Sequence, residues 1–398
     1  MNMIKGNTEV TPAEAGYDES RLAALHKHFG RLMDRRKIQG ASYCLARDGK
    51  VFASGAVGRR HYADATDPML PDTVVRVASV TKLFTAVAVM KLIEDGHFRL
   101  DTPVKELLPE FDQGDFWRIT VKHLLTHTSG MLPDAGYPDV GGDYLYWDAV
   151  GRYIDGYDPE KDGAFNWIHA ALQAGVRRMP DEEWMYCSFG FKILGEIITR
   201  VSGRDVKAYI EEEIFRPLGM NDSTFTLTPA LAKRMVVKSA ENEAYLKRVI
   251  DGTNQPDNEK NGWKSVPSTD NGVYSTTADL IKFGTMCLGM GRSGDVRILG
   301  RKLFEKMTTC ALHGVPNFAW GVNDPDRSFG IGFDMKRNAE YYYSEGSFFH
   351  EGAGACALIM DPKERMAAAY FVPFDDVPDG WCPEAVYNTQ IVIWSGLV

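Results

Sequence analysis

The stretch from Val80 to Glu94, VTKLFTAVAVMKLIE, constrains this chain more than any other: it is apolar on nearly every side and stops at Asp95-Gly96. A helix lying on a protein surface shows an apolar stripe and a polar face. This one has no polar face to turn to water, so it reads as a helix buried at the centre of the fold, closed by a glycine just past its C-terminus. Its longest apolar run, Leu83 to Ile93, is broken by Thr85 and Lys91 and falls far short of the ~20 residues that span a bilayer, so no membrane crossing is expected. Enclosing a helix on every side takes a large core, which 398 residues with 44% hydrophobic and 25% charged composition can supply. We expect one functional unit with two lobes.

Around that helix the pattern changes along the chain. Glu19 to Lys37 carries Leu22, Leu25, Phe29 and Leu32 at helical spacing with basic residues between them. Gly40 to Gly55 alternates like a hairpin, its turn supplied by Arg47-Asp48-Gly49-Lys50. From about Leu100 to about Gly272, helical signals at Val121 to Thr126, Phe189 to Val201 and Asp205 to Ile214 alternate with long polar or Gly/Pro-rich loops, which suggests a helical lobe. After it come a helix from Thr277 through Met286, a second at Leu303 to Met307, strands at Ser328 to Phe333, Ala355 to Met360 and Arg365 to Val372, and a closing helix at Glu384 to Ile393. Gly136 to Trp167, rich in Tyr, Trp, Gly and Asp, is too irregular for a helix and reads as a loop lining a cleft.

Several function classes drop out. A formal net charge of -9 with no local Lys/Arg block lacks the footprint that a phosphate backbone needs, so nucleic acid is not an expected partner. The N-terminal MNMIKGNTEVTPAEAG has no apolar stretch after a basic start, hence neither a secretory signal nor an anchor, and the chain reads as cytoplasmic. Cys44, Cys187, Cys287, Cys310, Cys356 and Cys382 lie far apart with no C-x-x-C pair, which suits buried thiols rather than a disulfide framework or a zinc site.

The chemistry starts at the head of the central helix. Ser79-Val80-Thr81-Lys82 puts a hydroxyl and an amine one turn apart on one face, within reach of each other. A serine hydroxyl needs a base to become a nucleophile, and a lysine desolvated inside an apolar helix should have its pKa pushed down toward that task. Tyr186-Cys187-Ser188, ahead of the next helix, offers a phenol and a short polar group. A phenol beside a cationic lysine is easier to deprotonate, so Tyr186 could take the serine proton and pass it to the leaving group. His350-Glu351-Gly352-Ala353 leads into a strand, and the Ala353 N–H with that of Ser79 would form an oxyanion hole, small residues permitting close approach.

These three motifs, in this order and at these rough spacings, resemble the serine β-lactamase and penicillin-binding protein superfamily, in particular its class C and family VIII carboxylesterase branch. Supporting stretches are Phe98 to Val104 (FRLDTPV), His123 to Gly130 (HLLTHTSG), Pro217 to Met220 (PLGM) and Asn271 to Leu280 (NGVYSTTADL). The resemblance implies an α+β fold of the β-lactamase/transpeptidase type. Its antiparallel sheet would be flanked by helices and built from 1–100 and 272–398, with 101–271 as an inserted helical lobe and the active site in the cleft between. It also implies catalysis without metal or cofactor on a small-molecule ester or amide, with Ser79, Lys82 and Tyr186 as catalytic residues and Ser188, His350, Gly352 and Ala353 binding substrate or oxyanion. Carboxylesterase, β-lactamase, D-amino-acid peptidase or amidase, and acyltransferase share those residues; a non-catalytic binding module is the alternative from a different class, and the chemically competent residues kept in all three motifs speak against it. The oligomeric state is left open.

Two departures bear on substrate. Penicillin-recognising members usually carry lysine where this chain has His350 and asparagine where it has Ser188. A histidine with its ordinary pKa near 6.5 is mostly neutral at pH 7 and gains charge below about pH 6, so neutral esters are favoured over carboxylate-bearing β-lactams. Other signals read as structural. Gly289 to Gly294 matches G-x-G-x-x-G but follows a helix instead of a strand, His123 and His127 lack a third metal ligand and should hydrogen-bond the loop after them, and Cys187 has no base beside it.

Overall fold

The computed structural model describes residues 3–134, 144–156, 158, 166–253, 266–335, 342–353, 356–375 and 381–398. The expected hairpin forms between β2 (Gly40–Arg47) and β3 (Lys50–Gly58), closed by Asp48 at φ +53° and Gly49 at φ +74°, two consecutive left-handed residues whose twist matches that of the strands. With β1 (Ile4–Lys5), β4 (Asp334–Met335), β5 (Phe348–Gly352), β6 (Cys356–Asp361) and β7 (Met366–Phe371) they make one antiparallel sheet ordered β1-β3-β2-β7-β6-β5-β4. The seam between β2 and β7, with Cys44 opposite Ala369, joins the two ends of the chain.

Strand alternation divides the sheet's side chains between two layers. Tyr43, Leu45, Ala357, Ile359, Ala368 and Tyr370 pack with α1 (Glu19–Asp34) and the C-terminal helix Pro383–Trp394. Cys44, Ala46, Leu358, Met360, Ala367 and Ala369 face the central helix α2 (Thr81–Glu94) and the helix Thr277–Leu288. A Cβ on Gly284 of the latter would come within 3.1 Å of the Ala367 Cβ, so small residues on both sides set how close that helix lies. Every residue of α2 from Thr81 to Met90 is buried, as its missing polar face required. Burying a helix this fully also buries Lys82.

Residues 101–271 supply helices and, among the described residues, no strand of the seven-stranded sheet. The chain passes out and back side by side, since Val75 pairs with Ser275 and Arg76 with Tyr274. No described helix is long and apolar enough to cross a membrane. None of the six cysteines forms a disulfide; five are buried and Cys310 is partly exposed.

Three expected elements differ. Ser328 to Phe333 is not a strand: only Phe329 makes a bridge, and Gly332, at φ +79°, turns so tightly over α2 that a Cβ would meet the Ala86 Cβ at 2.2 Å. His350 does not lead into the strand of Ala355 to Met360 but lies inside β5, which hairpins back to β6 with His350 opposite Leu358. Within Gly136 to Trp167 the chain forms a helix, Tyr144–Gly156, while 136–143, 157 and 159–165 lie outside the described residues. Aromatic packing overrides the irregular pattern there: Tyr146 is fully buried and stacks on Phe189 at 4.7 Å.

Candidate active site

Ser79 sits in a single tight turn, Ala78–Val80, from which α2 continues. Ala78 has φ +44°, a left-handed conformation unfavourable for alanine, and strain of this kind persists only where surroundings enforce it. The enforcement is visible: the Val77 N–H donates to the Val273 carbonyl at 2.8 Å, and the Val77 carbonyl accepts from the Cys356 thiol at 3.0 Å. A Cβ on Gly352 would lie 2.3 Å from that carbonyl, so the glycine lets β5 rest on the backbone two residues before Ser79. Ala353 follows in an exposed turn.

Lys82 is completely buried, and its Nζ donates to Ser79 Oγ at 3.2 Å, Ser188 Oγ at 3.0 Å and the Asp270 carbonyl at 3.0 Å, with the Tyr186 ring centroid 4.8 Å away. Three acceptors around one nitrogen are the surroundings of an ammonium. Burial is the largest influence on it and pushes its pKa down, but the negative charge of Tyr186, Asp270 and Asp134 outweighs burial, and the pKa ends above the ordinary lysine range. This corrects the expectation of a lysine depressed toward neutrality. The expectation of an easily ionised Tyr186 is corrected too. Its phenol hydrogen-bonds Lys82 and Ser79, yet burial, the largest influence, raises its pKa against the pull of the ammonium. An ionised Tyr186 is thus the largest partner of the Lys82 cation, ahead of Asp270 and Asp134, and burial opposes that ionisation.

Ser188 opens the helix Ser188–Ser202 and is held from behind by Asp134, whose carboxylate accepts from the Ser188 N–H at 2.7 Å and from its hydroxyl at 2.6 Å. The Asp134 N–H in turn donates to the Tyr186 carbonyl at 2.8 Å. Burial raises the Asp134 carboxyl despite the opposing charge of Lys82 and the two Ser188 bonds. Cys187 is a packed thiol whose sulfur accepts from the Gly190 N–H at 3.4 Å, capping the same helix.

His350 is buried, its ring 6.1 Å from that of Tyr186. Its Nδ1 lies 2.6 Å from the Glu351 carbonyl, which can only accept, so the proton of the neutral ring is on Nδ1. Burial first, then the charge of Lys82, pushes its pKa down to about 4. The imidazole is neutral at pH 7, as expected, but the charge expected below about pH 6 is displaced to more acidic pH.

Other residues belong to the site that the motifs did not reveal. Lys192, buried, pairs with the Asp270 carboxylate and reaches the Pro267 carbonyl at 3.3 Å. Burial lowers its pKa against the pull of Asp270. Its i, i+4 spacing from Ser188, close to the i, i+3 spacing of Lys82 from Ser79, was a signal available in the sequence. His127, at φ +58°, does not bond the loop after it: its Nδ1 accepts from the Cys187 N–H at 3.1 Å and its ring lies 4.5 Å from that of Tyr186. His123 faces Asp181 at 3.2 Å. Nothing in the spacing of Asp134 or Asp270 marked them, because their roles come from loops brought in by the fold.

Together the site gathers a serine hydroxyl, a lysine cation, a phenol and a buried neutral imidazole. The family model described as Beta-lactamase matches residues 25–380. The esterase EstB of Burkholderia gladioli is 30% identical over 288 residues, 68% of this chain and 71% of that protein. Monacolin J acid methylbutanoyltransferase of Aspergillus terreus is 29% identical over 404 residues, 92% of this chain and 94% of that one. Among solved structures, a family VIII carboxylesterase superposes with a TM-score of 0.67 at 19% identity, covering 98% of this chain and 99% of that one, which is a likeness of fold.

Proposed function

The chain belongs to the beta-lactamase family, and on that premise we propose that it is a carboxylesterase acting on small neutral esters through an acyl-enzyme on Ser79. The observation that carries this reading is the buried Lys82 ammonium bridging Ser79 and Ser188 beneath Tyr186. The reactive form lacks one proton: Tyr186 becomes a phenolate beside the Lys82 cation, takes the Ser79 proton as Oγ attacks the ester carbonyl, and returns it to the departing alcohol. The Ser79 and Ala353 N–H groups hold the oxyanion, and water deacylates the enzyme by the same relay. Residues 1–100 and 272–398 are taken as one lobe and 101–271 as the other, with the site between them.

Neutral substrates are favoured because His350, its ring 6.1 Å from that of Tyr186, carries no charge at working pH, so a free carboxylate entering the cleft would lose hydration without gaining a cation there. The test is a p-nitrophenyl ester series run beside nitrocefin on the parent and on Ser79→Ala. The parent should cleave the esters in preference to nitrocefin and be labelled by a serine-reactive phosphonate, and the variant should do neither. Near-parental turnover by Ser79→Ala overturns the assignment. A second reading, acyl transfer to an alcohol in place of water, is favoured by the similarity to the methylbutanoyltransferase along 92% of the chain. Added alcohol would then raise ester product at the expense of free acid.

A further inference from the structure

Eight large apolar residues are exposed among the described residues, and three of them, Phe318, Trp320 and Val322, stand within one short loop. The loop is closed at its neck by paired backbone bonds, Asn317 N–H to the Asp324 carbonyl at 2.8 Å and Asp324 N–H to the Asn317 carbonyl at 3.1 Å. Inside it the Asn317 side chain accepts from the Ala319 N–H at 2.9 Å, and Ala319 is fully buried against Trp184, Leu312, Val315 and Phe329. One step before the neck, the Pro316 carbonyl accepts from the Trp184 N–H at 2.8 Å, which ties the loop to the segment carrying Tyr186. A loop anchored this way holds its exposed side chains in place.

At its tip Trp320 has φ +53°, a left-handed conformation that a bulky residue adopts only when the surroundings impose it. Trp320 is 60% exposed, and its ring centroid is 6.1 Å from that of Tyr186. Between the two neck residues the loop, Phe318 to Asn323, carries no charge. Exposed apolar side chains on a strained, anchored loop, with Trp320 beside Tyr186, point to a ligand contact.

We propose that Phe318, Trp320 and Val322 form an apolar lip that binds the alcohol portion of the ester, selecting esters of aryl-bearing or similarly bulky alcohols. The side follows from the proton relay: Tyr186 protonates the departing oxygen, so the alcohol must lie beside Tyr186, and Trp320 is the exposed aromatic next to it. The inference rests on the carboxylesterase reading above.

Three substrates separate the possibilities: ethyl butyrate, 2-(2-naphthyl)ethyl acetate with the aryl group on the alcohol, and ethyl 2-naphthylacetate with it on the acyl side. The two alcohols have similar acidity, so leaving-group strength is held nearly constant. The parent should prefer the naphthylethyl ester to ethyl butyrate, and Trp320→Ala should reduce that kcat/KM ratio by about tenfold, with Trp320→Phe keeping most of it. Trp117→Ala, at an exposed tryptophan that packs against Lys105 and Arg118, should leave the ratio at the parental value. An unchanged ratio in Trp320→Ala, or a loss confined to the acyl-side substrate, overturns the inference while leaving the hydrolase intact. Calorimetric binding of 2-(2-naphthyl)ethanol to the Ser79→Ala protein gives a readout without turnover. Weaker binding when Trp320→Ala is added supports the lip even if no ester is cleaved, and equal binding overturns it.

Discussion

Lys192→Met tests whether the second buried lysine holds the site together. The substitution keeps an unbranched chain of similar length in the space between Asp270 and Trp147 but removes the charge that pairs with Asp270 and lies 4.8 Å over the Trp147 ring. Asp270, only 2% exposed, would then be a buried carboxylate without its cation. Breaking such a pair by removing one partner costs about 3–5 kcal/mol. With an unfolding entropy of roughly 2.1 cal/mol/K per residue, a chain of 398 residues should melt about 4–6 °C lower. Adding Asp270→Asn removes the stranded charge and leaves an amide with incomplete hydrogen bonding, a smaller loss of about 1–3 kcal/mol, so the double variant should recover part of the melting temperature. Activity should fall with the single variant as well, since the Asp270 carbonyl accepts from Lys82. The assay is thermal unfolding of the parent, both singles and the double at one scan rate. A Lys192→Met protein that melts within about 1 °C of the parent, or a double variant no better than the single, would refute the argument.

Lys82 and Tyr186 should behave as one unit, with Lys82→Ala/Tyr186→Phe costing little more in kcat than the worse single substitution; losses that multiply would show separate roles. Because burial raises Tyr186 and neighbouring negative charge raises Lys82, the proton-poor reactive form accumulates only toward alkaline pH. Thus kcat/KM for a neutral ester should climb toward alkaline pH, and Lys82→Met should move the climb to higher pH; a flat profile in the parent contradicts the relay. His350→Lys should raise the nitrocefin to p-nitrophenyl butyrate ratio of kcat/KM by supplying a fixed cation, and an unchanged or lower ratio would remove His350 from substrate selection. With the native imidazole's pKa held at about 4, that ratio in the parent should stay level down to about pH 5.

The linear sequence determined whatever depends on neighbours along the chain. An apolar run with no polar face had to be an enclosed helix, and the four-residue tetrad at its head had to place Ser79 and Lys82 on one side of it, because helical geometry is local. Asp48-Gly49 closed the first hairpin for the same kind of reason, since the turn's backbone demands are met by the residues in it. What only the tertiary structure decided is which groups surround those residues. Lys82 carries a raised pKa, opposite in direction to its burial, because Tyr186, Asp270 and Asp134 arrive from segments about 100, 190 and 50 residues away, and electrostatics depends on distance in space. The Ser328 to Phe333 segment looks like a strand in isolation, but Gly332 must turn over Ala86 and the pairing is lost. Trp320 gave no signal in the sequence beyond being aromatic. Its place beside Tyr186 comes from a loop neck and a backbone bond from Trp184, contacts that exist only once the chain has folded.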